Sequence, residues 1–311
     1  MLTELQRLQA ALAAAGLEAE SISPGTAGVA SPTRLACEWA GFQVRAEGGD
    51  FYAKVLFDDM RPLVDFNHSA EATRCAGEAG ASPRLALADP AHGVLLLEAL
   101  PASEWRWAKL DALQPEARLH SLLALKRSVH NGPAPAFAHN PMAGIEALRG
   151  LCRDAAVLRP EGAAWLDECA DLAWAALHGS QGAPRPLHGD GLAANVMVNR
   201  DGAMRLLDFD RAGCGDPWYD LAVTLNELYP FEPQWRAAIA HWSTAPHPAD
   251  YARCRLYALL DDWYWTLWGL WAGVASRRPL EFSKVGQWTL LRCHLAVQDP
   301  RFENWLRQVG G

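Results

Sequence analysis

The chain has 311 residues, 50% of them hydrophobic and 21% charged, a balance that supports a large core in one big fold or two lobes. Its formal net charge of −8 argues against non-specific nucleic-acid binding, which needs a basic surface to neutralise phosphates. The seven cysteines, at 37, 75, 152, 169, 214, 254 and 293, show no paired spacing and read as buried thiols of a reducing compartment, neither a disulfide framework nor a zinc site.

Met1 to Arg7 carries charge too early and too mixed for a secretory signal. Leu2, Leu5, Leu8, Leu12 and Leu17 recur at helical spacing, with Gly16 near the end, and predict an opening amphipathic helix. Between Ser21 and Leu56, glycines at 25, 28, 41, 48 and 49 punctuate short β-rich runs, 42–45 and 51–56, joined by a hairpin turn at 47–50. A helix is expected over 69–80, stopped by Ser82-Pro83. The apolar run Gly93–Leu97 reads as a buried strand entering Glu98-Ala99-Leu100-Pro101. Helical periodicity then dominates, over 113–130, 143–156, 162–178, 218–229, 250–275 and 284–297, interrupted at 186–213 by short strands flanking loops. The most apolar stretch, Trp263–Ala275, spans about 13 residues against the ~20 that cross a bilayer. Asp261 and Asp262 precede it and Arg277 and Arg278 follow, so it reads as a core helix of a soluble, cytoplasmic protein without membrane partners. The expectation is an α+β plan with a small β-rich front and a larger, mainly helical rear.

The densest signal is Leu187-His188-Gly189-Asp190, with Asn195 four intervening residues after Asp190, followed by Leu206-Leu207-Asp208-Phe209-Asp210. This is the spacing of a kinase catalytic loop and of its metal-binding Asp. Segments 196–199 and 204–207 flank the turn 200–203, a hairpin that sets the two loops side by side. Phosphoryl transfer needs positioning and charge neutralisation more than covalent help. Asp190 can take a hydroxyl proton; Asn195 and Asp208 are hard oxygen ligands suited to Mg²⁺; His188 is placed with the catalytic residues, more as a brace of the loop than as a proton carrier. Taken one at a time, such residues are common turn formers; the ordered pair of motifs is what points to chemistry.

At these residues the sequence resembles the aminoglycoside phosphotransferase and choline kinase superfamily, most specifically from Leu187 to Ala222. The resemblance implies a protein-kinase-like fold with an N-lobe over 1–97, a hinge at 98–101 and a C-lobe over 102–311. It implies ATP and Mg²⁺ as cofactors and a small-molecule acceptor. Lys54 becomes the clamp on the α/β-phosphates, held by an ion pair from Glu71, which is preferred to Glu78. Backbone groups of Glu98 and Leu100 become the adenine contacts, and Gly25 and Gly28 a sparse phosphate-covering loop. His130 and Asp220 become structural.

The helix 257–271 holds four tryptophans within nine positions, at 263, 265, 268 and 271. It resembles the Trp-x-x-Trp segment that lines the choline pocket of choline and ethanolamine kinases. By that match Trp265 and Trp268 face a cationic head group through cation–π contacts, with Asp210 or Asp262 adding negative charge; a plain core helix is the competing reading. The expected activity is transfer of the γ-phosphate to the hydroxyl of a small cationic alcohol resembling choline or ethanolamine. An aminoglycoside, homoserine or thiamine as acceptor is the alternative, and a nucleotide-binding pseudokinase, motivated by the sparse glycine loop, is a third.

Overall fold

The computed structural model describes residues 2–31 and 33–310. Helix α1 (Glu4–Ala14) starts at a capping box in which Thr3 Oγ1 accepts from Gln6 N–H and Gln6 Oε1 from Thr3 N–H. Five antiparallel strands follow: β1 (Ala19–Pro24), β2 (Trp39–Ala46), β3 (Gly49–Leu56), β4 (Leu85–Asp89) and β5 (Val94–Glu98), in spatial order β1-β2-β3-β5-β4. Helix α2 (Phe66–Glu78) connects β3 to β4. The anticipated hairpin is the β2–β3 turn, closing on the Ala46–Gly49 pair. Strand alternation decides what each face does. Ala53 and Val55 of β3 pack with Leu8, Ala11 and Leu12 of α1, so Lys54 between them projects from the opposite face.

Beyond Glu98 the chain is mainly helical, with three-stranded and two-stranded sheets inserted. Its elements are β6 (Trp105–Trp107), α3 (Leu110–Leu113), α4 (Glu116–His130), α5 (Pro141–Asp154), α6 (Ala163–His178) and β7 (Arg185–Leu187). Then come β8 (Val196–Asn199), β9 (Met204–Leu206), β10 (Gly213–Gly215), α7 (Pro217–Leu228), α8 (Glu232–Trp242), α9 (Ala249–Ala275), α10 (Ser283–Val297) and α11 (Phe302–Gly310). Strands β6-β8-β9 form one small sheet and β7-β10 the other. The expected 196–207 hairpin is β8–β9, with Val196 opposite Leu206. Helix α9 is the axis of this part, packed by α5, α6, α7, α10 and α11, which is why its apolar residues run around the whole circumference. Among the described residues no helix is long and apolar enough to cross a membrane. All seven cysteines are free thiols, six of them buried.

Helices α2 and α5 begin earlier than their apolar periodicity suggests, because Asp65 and Asn140 cap them by accepting from the second and third N–H groups that follow. Strand β1 lacks the alternation that marks a strand because it is a mostly exposed edge. Helix α8 is short enough to pass as a loop in the sequence, although Trp235, Ala238, Ile239 and Trp242 repeat at helical spacing.

Candidate active site

Asp190 sits in the loop between β7 and β8. Gly189 has φ +76°, and a Cβ there would meet Arg211 O at 2.1 Å, so no other residue fits. A Cβ on Gly191 would meet Val223 O at 2.2 Å. Beneath the loop lies Asp220 of α7, fully buried. It accepts from His188 N–H (3.0 Å), Gly189 N–H (2.9 Å) and Lys126 Nζ (3.4 Å), with His130 Nε2 at 2.8 Å. Burial opposes ionisation of Asp220, but Lys126 and His130 outweigh it and hold the carboxyl well below the usual range. Lys126 Nζ also donates to Asp190 O at 2.7 Å. The loop is thus tied down from below by one ammonium and one carboxylate, while Asp190 Oδ1 accepts from Leu192 N–H at 2.6 Å. Asp190 Oδ2 has no protein partner among the described residues.

His188, expected among the catalytic residues as a brace more than a proton carrier, is bound to backbone beneath the loop. It is 1% exposed, donates from Nε2 to Leu207 O at 2.9 Å and lies with Nδ1 3.3 Å from Lys126 Nζ. Burial, then the Lys126 charge, keeps its pKa below the ordinary value, so the ring is neutral and committed to backbone.

Asn195 and Asp208 face each other across β8–β9. Leu207 N–H donates to Asn195 O at 2.8 Å, fixing one against the other. Asp208 has φ +66°, the left-handed region that Asp tolerates better than most residues. Lys54 Nζ lies 2.8 Å from Asp208 Oδ1 and 4.0 Å from Asp210. Burial raises the cost of charge on Asp208, but Lys54 prevails and keeps its pKa low. Asp210, buried and repelled by Asp208, is pushed up to about 8. Its Oδ2 accepts from Trp39 Nε1 at 2.6 Å, whereas its Oδ1 is buried with no partner. The Asp208 carboxylate, the Asn195 amide oxygen and the orphaned Oδ1 of Asp210 suit a hard divalent cation that takes its remaining ligands from phosphates and water. Asp210 therefore belongs with Asp208 and Lys54, and the expectation that it serves an acceptor pocket beside Trp265 is corrected.

The Lys54–Glu71 ion pair is also corrected. Glu71 Oε1 accepts from Ala136 N–H at 2.9 Å, and Glu78 pairs with Arg74. On α2 the core-facing stripe is Phe66, Ser69, Ala72, Thr73 and Ala76; positions 71 and 78 fall on the far side. Glu38, which precedes β2, is the additional carboxylate whose charge acts on Lys54.

A cleft of about 410 Å³ lies between the five-stranded sheet and the β8–β9 region, lined by Lys54, Glu98, Leu100, Asn195 and Asp208 among others. Leu100 N–H has no protein acceptor among the described residues, while Glu98 N–H is used by Arg84 O at 2.9 Å. Gly25 and Gly28 do not form an open cradle. Gly25 N–H donates to Gly41 O at 2.8 Å, and a Cβ on Gly28 would sit 3.4 Å from Leu280; Ser23 and Thr26 line the cleft instead.

A second, smaller pocket is lined by Gly191 and Leu192 of the Asp190 loop together with Trp265, Asp262, Glu227 and Arg292. Asp262 is bound by Arg292 at 3.0 Å and accepts from Asn226 at 3.0 Å; burial pushes it up to about 6. Trp268 is corrected from pocket wall to core: it is 1% exposed and packs edge-on to Trp265 (5.4 Å) and Phe282 (5.5 Å). Behind the wall, Arg211 donates to Asp261 (2.6 Å) and Tyr219 (2.6 Å) and lies 3.9 Å from the Tyr264 ring centroid.

Lys126 and Trp39 are absent from the sequence reading. Lys126 had a signal: Leu119, Leu122, Leu123, Lys126 and His130 form one helical stripe, all buried, and a lysine inside such a stripe demands a buried anion. Trp39 had none, because its partner Asp210 is 171 positions away.

The sequence profile of the family described as "phosphotransferase enzyme family" matches residues 41–257. No curated protein matches the chain. Among solved structures, a choline/ethanolamine kinase family protein from Mesorhizobium loti superposes with TM-score 0.75 at 22% identity, covering 99% of both chains. The choline kinase LicA of Streptococcus pneumoniae gives TM-score 0.75 at 12% identity, covering 93% of this chain and 97% of its own. A point mutant of an aminoglycoside 2′-phosphotransferase, solved with GDP, gives 0.62 at 14%, covering 97% and 100%.

Proposed function

Because the chain belongs to the phosphotransferase enzyme family, we propose that it moves the γ-phosphoryl group of ATP to the hydroxyl of a small cationic alcohol of the choline or ethanolamine kind. The observation that carries this is that Lys54, Asn195 and Asp208 line one cleft, with Asp190 in the same loop that carries Asn195. Residues 1–97 then cover the nucleotide, 98–101 hold the adenine edge through the free Leu100 N–H, and the remainder supplies the reacting groups. LicA has been solved with AMP and the aminoglycoside enzyme with GDP, which favours a nucleotide in this cleft.

In this reading Asp208, Asn195 and the unpartnered Oδ1 of Asp210 would hold Mg²⁺, which when bound neutralises the phosphate oxygens. Lys54, already protonated beside Asp208, would hold the α/β-phosphates. The free Oδ2 of Asp190 accepts the proton of the acceptor hydroxyl; the hydroxyl oxygen bonds to the γ-phosphorus as the phosphorus loses its bond to the β,γ-bridging oxygen, and ADP leaves. The Lys126–Asp220 support fixes where Oδ2 points, so the base needs no rearrangement at the moment of transfer. The acceptor would occupy the pocket beside Gly191 and Trp265, whose carboxylates Glu227 and Asp262 favour a cation.

The test is Asp190→Asn, which keeps the shape and removes the base. Turnover of a choline-like alcohol, read as ADP release, should fall by at least about a hundredfold, with nucleotide affinity retained. Turnover within a few-fold of the parent rejects the role of Asp190. A panel of ammonium alcohols that all fail to release ADP rejects the acceptor class.

A further inference from the structure

The aromatic wall of the small pocket already carries a cation, and the cation belongs to the chain itself. Arg34 stands in the segment after β1, where Val29 and Leu35 pair through N–H···O bonds of 2.7 and 2.8 Å and Arg34 N–H donates to Ser31 O at 2.8 Å. Its guanidinium carbon is 3.3 Å from the ring centroid of Trp265 and 5.3 Å from that of Trp268, the arrangement that attracts a cation to an indole face. The residue is only 6% exposed. Nevertheless its guanidinium donates no hydrogen bond among the described residues, and its one ion pair there, to Glu38, is loose at 3.9 Å. With no hydrogen bond and only a loose ion pair to hold it, the guanidinium is kept in place mainly by its position over the Trp265 ring.

Two further observations bear on this side chain. Arg34 and Ala36 have φ values of +23° and +48°, a region that non-glycine residues enter only where surrounding contacts hold them. With Arg34 in place the pocket beside the Asp190 loop has about 40 Å³. At roughly 10–15 Å³ per water, that is room for a few waters and none for a quaternary ammonium group. Glu227 and Asp262 are among the residues that line this space.

We propose that Arg34 is an internal stand-in for the acceptor's cation: it covers Trp265 while the acceptor is absent, must move off the ring to admit it, and so sets acceptor affinity. The proposal rests on the cationic-acceptor reading above. Competition of this kind lowers apparent affinity by the fraction of molecules whose site is open, and Arg34 is therefore a specificity residue that reacts with nothing. Its neighbours Leu35 and Ala36 line the nucleotide cleft, so the same movement reaches both sites.

Tetramethylammonium separates this idea from the chemistry, since it has no hydroxyl to phosphorylate. Titrated calorimetrically, it should bind Arg34→Ala at least about tenfold more tightly than the parent, and added ethylguanidinium should reverse that gain by refilling the vacated face. Arg34→Met, which keeps the apolar stem, should show the same gain and serves if the alanine variant folds poorly. Equal or weaker binding in both variants, or no binding in either, overturns the proposal; weaker binding would make Arg34 part of the ligand site. If tetramethylammonium behaves as expected but no ammonium alcohol releases ADP, the acceptor reading falls and the stand-in survives. If an ammonium alcohol is turned over with a KM that neither substitution lowers, the reverse holds.

Discussion

Lys54 holds its proton because the Asp208 carboxylate at 2.8 Å, with Asp210 beyond it at 4.0 Å, outweighs the cost of burying the ammonium. The same residues disagree about their own protons, Asp208 remaining ionised and Asp210 pushed up to about 8. Two like charges so close do not both ionise unless a further cation joins them. Replacing Lys54 with Met takes the ammonium out of this group. Nucleotide kcat/KM should fall by at least about tenfold, with the nucleotide KM rising more than the acceptor KM. If neither constant moves, Lys54 takes no part in nucleotide binding.

At the scale of elements, α4 supports the catalytic loop through a single ammonium. Lys126 is 2% exposed and bonds to Asp190 O and Asp220 at once. Lys126→Met preserves the apolar stem and leaves Asp220 with His130 as its one side-chain partner. Breaking a buried pair from one side costs about 3–5 kcal/mol, so the melting temperature should drop. Turnover should drop as well, since the carbonyl that sets the direction of Asp190 loses its strongest donor. A variant as stable and as active as the parent would show that α4 supports the loop through packing alone.

Across the whole molecule, acid should act through imidazoles kept neutral. His139 packs tilted against Tyr219 with ring centroids 4.3 Å apart, and burial, then the Arg211 charge, lowers its pKa to about 4. In the unfolded chain it titrates near the ordinary value of ~6.5. Between those two values the unfolded state binds the proton that the fold refuses, so stability falls as pH drops from about 6.5 to 4 and is unaffected above that window. The depressed pKa corresponds to at most about 3 kcal/mol. Glu38, raised to about 7, and Asp262, raised to about 6, act in the opposite sense, because the fold binds their protons more tightly than the unfolded chain. The clean measurement is therefore a difference. Between pH 7 and pH 5 the denaturant midpoint of the parent should fall further than that of His139→Gln, because only the parent has this proton to bind on unfolding. Equal differences at both values would show that His139 does not contribute to the acid limb.

Chain-local features determined much of this protein. The β2–β3 and β8–β9 hairpins, the buried α9 and the adjacency of Asp190, Asn195 and Asp208 all follow from signals within a few residues of one another: turn glycines, apolar periodicity and two short motifs. What the tertiary structure decided were the partners. Glu71 and Glu78 compete for Lys54 in the sequence, and the helical phase of α2 turns both away. Asp210 goes to Trp39, at the start of β2, and not to the tryptophans of α9. Trp265 and Trp268 are equivalent in spacing, yet packing against Phe282 buries one and leaves the other facing the pocket. Arg34 reaches Trp265 from 231 positions away in the chain, and charge pairing over such distances leaves no periodicity behind. Local propensities repeat along a sequence and can be counted there, whereas electrostatic partners are selected by the folded geometry that brings distant segments together.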